Sequence, residues 1–133
     1  MGIQKHSNTQ SLFDTADNLG AHYILAKDII NSDIHKIEQK LDDYIKDLDE
    51  IYITICSDVL STAYAPGVSA PQPLGLDPEK ILILLKKVLQ SGKVLSFDIA
   101  EVSPRFDHDS ITANMASILI YTVVTSLANH IFD

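Results

Sequence analysis

Apolar positions along the chain follow two rhythms. In the first they step by three and four. Ile34, Ile37, Leu41, Ile45 and Leu48 do so behind Asp33, a natural cap, while the lysines and acids between residues 36 and 47 form a solvated opposite face. Ile81, Leu84, Leu85, Val88 and Leu89 repeat the pattern behind Asp77-Pro78 and stop at Gly92. A shorter version, Leu12, Phe13, Ala16 and Leu19, follows the capping residues Ser7-Asn8-Thr9 and ends at Gly20. A final helix is predicted from about Ile111 to His130, capped by Asp109 or Ser110. It is apolar on so much of its surface that burial between other elements is expected.

The second rhythm is a nearly unbroken apolar run. Ile51 to Cys56 is β-branched and aromatic, which suits a strand covered on both sides, as in a parallel sheet. Val94 to Ala100 reads as another strand, and His22 to Leu25 as a short buried one. Gly2-Ile3-Gln4 is a brief opening strand at most. From Ser57 to Asp77 runs a long irregular stretch rich in proline, of the kind that is functional or disordered in compact domains. Strands alternating with helices predict a three-layer α/β/α domain built on a parallel sheet. Three or four short strands are few for helices this apolar, so the fold is expected to be incomplete.

Composition narrows the class without naming a chemistry. With 46% hydrophobic and 21% charged residues the chain is composed like a globular protein. Its net charge of −8, with basic residues scattered, argues against nucleic acid as a partner. One cysteine excludes an internal disulfide and fits a reducing compartment. No signal peptide opens the sequence and no apolar stretch is read as long enough to cross a bilayer, so a cytoplasmic location without a membrane partner is expected.

In open α/β sheets, ligands sit beyond the carboxyl ends of the strands. Two predicted strands end in acids there: Ile55-Cys56-Ser57-Asp58, and Phe97-Asp98-Ile99-Ala100-Glu101. Cys56 and Asp58 are two apart, so an extended backbone puts both on one face, where a thiolate and a carboxylate suit a divalent metal. The same pair also suits a buried thiol beside a loop-capping Asp. Cys56 as a thiol nucleophile would need a base, and no histidine lies near it in sequence. The five histidines share no metal-ligand spacing, and none is assigned to metal.

The string Ile53-Thr54-Ile55-Cys56-Ser57-Asp58, continued by Ala65-Pro66-Gly67-Val68-Ser69-Ala70-Pro71, resembles the ureohydrolase signature S-x-D-x-D-x-x-D-P-x-x-A-P-G. Asp98-Ile99-Ala100-Glu101-Val102-Ser103-Pro104 matches the same family, which includes arginases and agmatinases. Gly2-Ile3-Gln4 with Ser7-Asn8-Thr9, and the A-P-G-V-S-A-P form of the loop, look most like its formimidoylglutamase branch. The resemblance implies an arginase-like fold and a hydrolase of a linear amidine with two Mn²⁺ ions. The implied reaction is N-formimidoyl-L-glutamate and water to L-glutamate and formamide, in histidine breakdown. It places Asp58 as a metal ligand and Cys56 where the family carries a bridging Asp, a softer donor that weakens Mn²⁺ binding. It places Glu101 against the substrate amidinium, and Asn8 near the amino-acid end of the substrate. On their own terms, Glu101 also suits a strand-end carboxylate bracing a loop, and Ser7 and Asn8 suit helix capping. Asp98 is read as bracing its strand. No residue of the chain is assigned as catalytic.

The family's other metal-ligand segments, G-G-D-H-S-like and D-A-H-x-D-like, occur nowhere in these residues. Residues 1–133 are therefore expected to be the C-terminal portion of one ureohydrolase-like domain, inactive alone and prone to associate as a homo-oligomer. An arginase- or agmatinase-like guanidine hydrolase, or a non-catalytic folded remnant or interaction module, are the alternatives.

Overall fold

The computed structural model describes residues 1–132, with side chains through residue 128; Asp133 and the His130 side chain lie outside it. The two apolar runs form strands where the sequence predicts them, β1 (Ile51–Cys56) and β2 (Val94–Ala100). They pair in parallel, Thr54 opposite Asp98 and Cys56 opposite Ala100. A parallel pair needs a crossover, and α4 (Pro78–Leu89) provides it. The arrangement is the α/β architecture with a parallel sheet that alternation predicts.

The capped helices form for the expected reasons. Asp33 accepts from the His35 N–H at 3.1 Å and opens α3 (Ile34–Ile45), which buries Ile37, Leu41 and Ile45. Asp77 accepts from the Glu79 N–H at 2.9 Å and opens α4, which buries Ile81, Leu84, Leu85 and Leu89. Gly92 follows at φ +69, a left-handed conformation that glycine adopts without a side-chain clash. Both α3 and α5 (Ile111–Phe132) pack on α4. One core joins these helices to Ile55 and Val94 of the sheet and to Leu60, Ala65, Val68 and Leu76 of the long loop.

Several expectations change. His22 to Leu25 makes no strand; Leu25 forms a single parallel bridge to Ile3, and Leu25 is followed by a short helix, α2 (Ala26–Asn31). Among the described residues the sheet has two strands. β1 is not covered on both sides: Tyr52, Thr54 and Cys56 are exposed while Ile55 is buried. Alternation of burial along an apolar strand marks a sheet face that the described residues leave uncovered. In α1 (Gln10–Asn18) the N-cap Thr9 makes no side-chain cap bond, Asn8 donates to the Gln4 carbonyl instead, and Leu12 and Leu19 remain exposed.

Helix α5 departs most. Asp109 and Ser110 are not its cap, because both stand at positive φ, +54 and +58. Asp107 caps it instead, its two carboxylate oxygens accepting from the N–H groups of Thr112 and Ala113, each at 2.9 Å. Burial alone would raise the Asp107 carboxyl, but these donors outweigh it and hold the group below its ordinary value. Thr112, Leu119 and Val123 are buried, while Ile118, Tyr121 and Val124 face outward. By length and composition the window His108–Ala128, with mean hydropathy 1.6, does reach what a bilayer crossing needs, which corrects the sequence reading.

Candidate functional site

Because β1 and β2 are parallel, their carboxyl ends emerge side by side. Cys56 pairs with Ala100, so the residues that follow, Ser57 to Val59 and Glu101, sit at one edge. The chain after Cys56 does not stay extended. It turns into a one-turn 3-10 helix, Ser57–Val59, which moves Asp58 off the strand's alternation. Cys56 and Asp58 still meet, lining one cavity of about 370 Å³ with Ser7, Asn8, Ala70 and Gln72. Three of the four predicted site residues thus share a cavity. Glu101 is not part of its lining, yet its charge reaches both Asp58 and Cys56.

Asp58 carries the strongest local signal. Its Oδ1 is buried without a hydrogen-bond partner, a costly state unless something else satisfies it. Burial pushes its carboxyl above the ordinary value, and repulsion from Glu101 adds to this. Burial of the sulfur likewise pushes the Cys56 thiol up, with Asp58 and Glu101 adding repulsion against the lowering effect of the Asp58 and Val59 N–H groups. An orphaned carboxylate oxygen beside a thiol is a donor pair suited to a cation. Among the described residues, however, no three His, Cys, Asp or Glu side chains gather. The donors present do not amount to a two-ion centre.

Glu101 stands at φ +68, in the left-handed region, at the end of β2. A non-glycine residue held there is strained, and such strain concentrates at functional positions. The exposed carboxylate is steadied by the Ser69 hydroxyl, which donates to Oε2 at 3.0 Å. Asp98 does brace the strands: the Thr54 hydroxyl donates to it across the sheet.

Two loops are stitched together behind the carboxylates. The Gly67 N–H donates to the buried Thr112 hydroxyl at 2.7 Å, and the Gly67 carbonyl accepts from the Ser103 N–H at 2.8 Å. A Cβ on Gly67 would collide with the Asp107 side chain and lie 2.6 Å from its Cα, so only glycine fits. Sequence reasoning matches Ser69 and Gln72 to the family's loop but gives neither a role. Ser69 lies within the quoted A-P-G-V-S-A-P string, but its partner is 32 residues away. Gln72 accepts from the Ser7 hydroxyl at 3.0 Å across 65 residues. Neither separation leaves a local pattern.

The model of the arginase family matches residues 1–125. Over 128 residues the chain is 56% identical to a formimidoylglutamase of Clostridium tetani, covering 96% of this chain and 38% of that protein. A formimidoylglutamase of Legionella pneumophila is 51% identical over 120 residues, covering 90% of this chain and 38% of its own. The chain thus spans less than two fifths of the length of these curated relatives. The solved formimidoylglutamase of Bacillus subtilis superposes with a TM-score of 0.86 at 24% identity, over 93% of this chain and 39% of its own, a likeness of fold. With a family model matched along nearly its whole length, and two parallel strand ends bringing Asp58 and Glu101 to one edge, the chain belongs to the arginase family.

Proposed function

We propose that this chain is part of a formimidoylglutamase, hydrolysing N-formimidoyl-L-glutamate with water to L-glutamate and formamide. The observation that carries the reading is the 56% identity along almost the whole chain to a relative of that name. The geometry supports it: a partnerless buried carboxylate oxygen on Asp58 lies near a strained, exposed Glu101. Asp58 and Cys56 would serve as two of the donors to a pair of Mn²⁺ ions, which supplies an activated water. The further donors would come from outside these residues.

Glu101 would hold the planar cationic amidinium by charge-assisted hydrogen bonds, with one carboxylate oxygen already engaged by Ser69. Asn8 would meet the amino-acid end of the substrate within the cavity that it lines together with Cys56 and Asp58. A cytoplasmic location and a homo-oligomeric state complete the reading. The latter is supported by Tyr52 and Leu95 on the sheet and by Ile118, Tyr121 and Val124 on α5, all exposed.

Formamide release from N-formimidoyl-L-glutamate by the full-length protein with Mn²⁺ is the expected result. Activity on agmatine but not on this substrate would overturn the branch. A second reading, that the chain by itself is a non-catalytic folded remnant, is open to a direct test. Calorimetric titration of the isolated chain with Mn²⁺ should show no tight two-ion binding, and such binding would refute it.

A further inference from the structure

A different cavity, about 350 Å³, opens between the Ile3–His6 segment and α2. Lys5, His6, Lys27 and Asn31 line it beside the exposed aliphatic side chains of Ile30 and Leu74. No aspartate or glutamate lines it, although the chain carries 18 acidic residues against 10 lysines and arginines. Lys27, Ile30 and Asn31 stand at i, i+3 and i+4 and share one face of α2, and Asp28 is not among the lining residues.

Some other lysines are engaged by the protein. Lys80 donates to the Ile29 and Ile30 carbonyls, Lys93 to those of Ile45 and Lys46, and Lys87 pairs with Asp42. Lys5, His6 and Lys27 form no ion pair among the described residues. The walls, by contrast, are held in place. Ile3 bridges Leu25, the Ala26 N–H donates to the Ile3 carbonyl at 3.0 Å, and the Gln4 side-chain amide donates to the Leu74 carbonyl at 2.6 Å. Lys80 fixes the far end of α2. The result is a preformed hollow lined by aliphatic and cationic side chains, at the small end of the range for ligand pockets.

We propose that this cavity binds a small organic dianion, a short aliphatic dicarboxylate. The Lys5 and Lys27 ammonium groups pair with its carboxylates, the Asn31 amide donates a further hydrogen bond, and the aliphatic lining covers its methylene chain. The site stands on this cavity and does not depend on the hydrolase chemistry.

Glutarate is the probe, added to the isotopically labelled chain while backbone amide shifts are followed by NMR. Saturable shifts confined to residues 3–6, 25–31 and 74 are expected, and none from the uncharged isostere glutaramide. Lys5→Gln combined with Lys27→Gln should weaken binding at least about tenfold, the loss of a charge-assisted hydrogen bond, while the two Lys→Arg replacements retain it. Both lysines are exposed, so the melting temperature should not move and a folding defect would be seen separately. Absence of saturable shifts with glutarate, equal shifts with glutaramide, or unchanged affinity in the Gln variant would each overturn the site. Inorganic phosphate binding the same amides as tightly as glutarate would overturn the dicarboxylate class.

Discussion

The two strand ends are neighbours built on opposite terms. After β1 the chain coils at once into a tight turn, and Asp58 is drawn inward with one oxygen lacking any partner. After β2 the chain flips to a positive φ and holds Glu101 out in solvent, its carboxylate steadied by a hydroxyl from the other loop. The inward carboxylate is left desolvated, and the outward one is left exposed and hydrogen-bonded. The same residue class, at the ends of two paired strands, is given two environments by what the backbone does next.

That contrast depends on the stitch behind it, and the largest effect should come from cutting the stitch. Gly67→Ala forces a methyl group into Asp107, so a loss of about 2–3 kcal/mol in urea unfolding is expected, and an unchanged midpoint would mean the loops are not in this contact. Thr112→Val keeps the shape but removes the acceptor for the Gly67 N–H, leaving a buried donor unpaired. A loss of about 1–2 kcal/mol should follow by the same measurement.

Smaller effects test the carboxylates themselves. The Asp58 carboxyl is raised in the folded chain above its ordinary value of 3.8, chiefly by burial. Its contribution to metal-free stability is therefore fully present below that value and declines as pH rises through the raised one. Asp58→Asn should melt together with the parent at low pH and above it at pH 7, read from melting temperatures across the pH range without metal. A variant that melts below the parent at pH 7 would contradict a desolvated carboxylate. Ser69→Ala should be the mildest change, within about 0.5 kcal/mol in stability because the bond is exposed. In the full-length protein it should raise KM for the amidine more than it lowers kcat, since Glu101 loses its support rather than its charge.

The parts of the fold legible in the sequence are those whose cause is local. Asp33 and Asp77 cap their helices through bonds two residues away, and Ile51 to Cys56 is a strand because β-branched residues crowd it. Helix α2 has six residues, too few for a repeat to show. The cap of α5 escaped because Asp109 and Ser110 bear the right side chains on the wrong backbone, while Asp107 reaches over them. At the site, Cys56 and Asp58 were marked by spacing, though a turn rather than an extended strand brings them to one cavity. Ser69 and Gln72 belong to the site only through distant partners. The uncovered face of β1 was hidden by composition, which records that Tyr52 and Thr54 favour strands but not what lies above them.

Gly67 also has a bearing on motion. Its amide and its carbonyl bind two different segments, so neither the Asp58 loop nor the Glu101 loop can lift away without breaking a bond held by the other. Opening fluctuations are then shared. The Gly67 and Ser103 amides should exchange with solvent deuterium at a common rate, set by one cooperative unit instead of two independent loops. Two carboxylates that face different ways are thereby kept on the same clock.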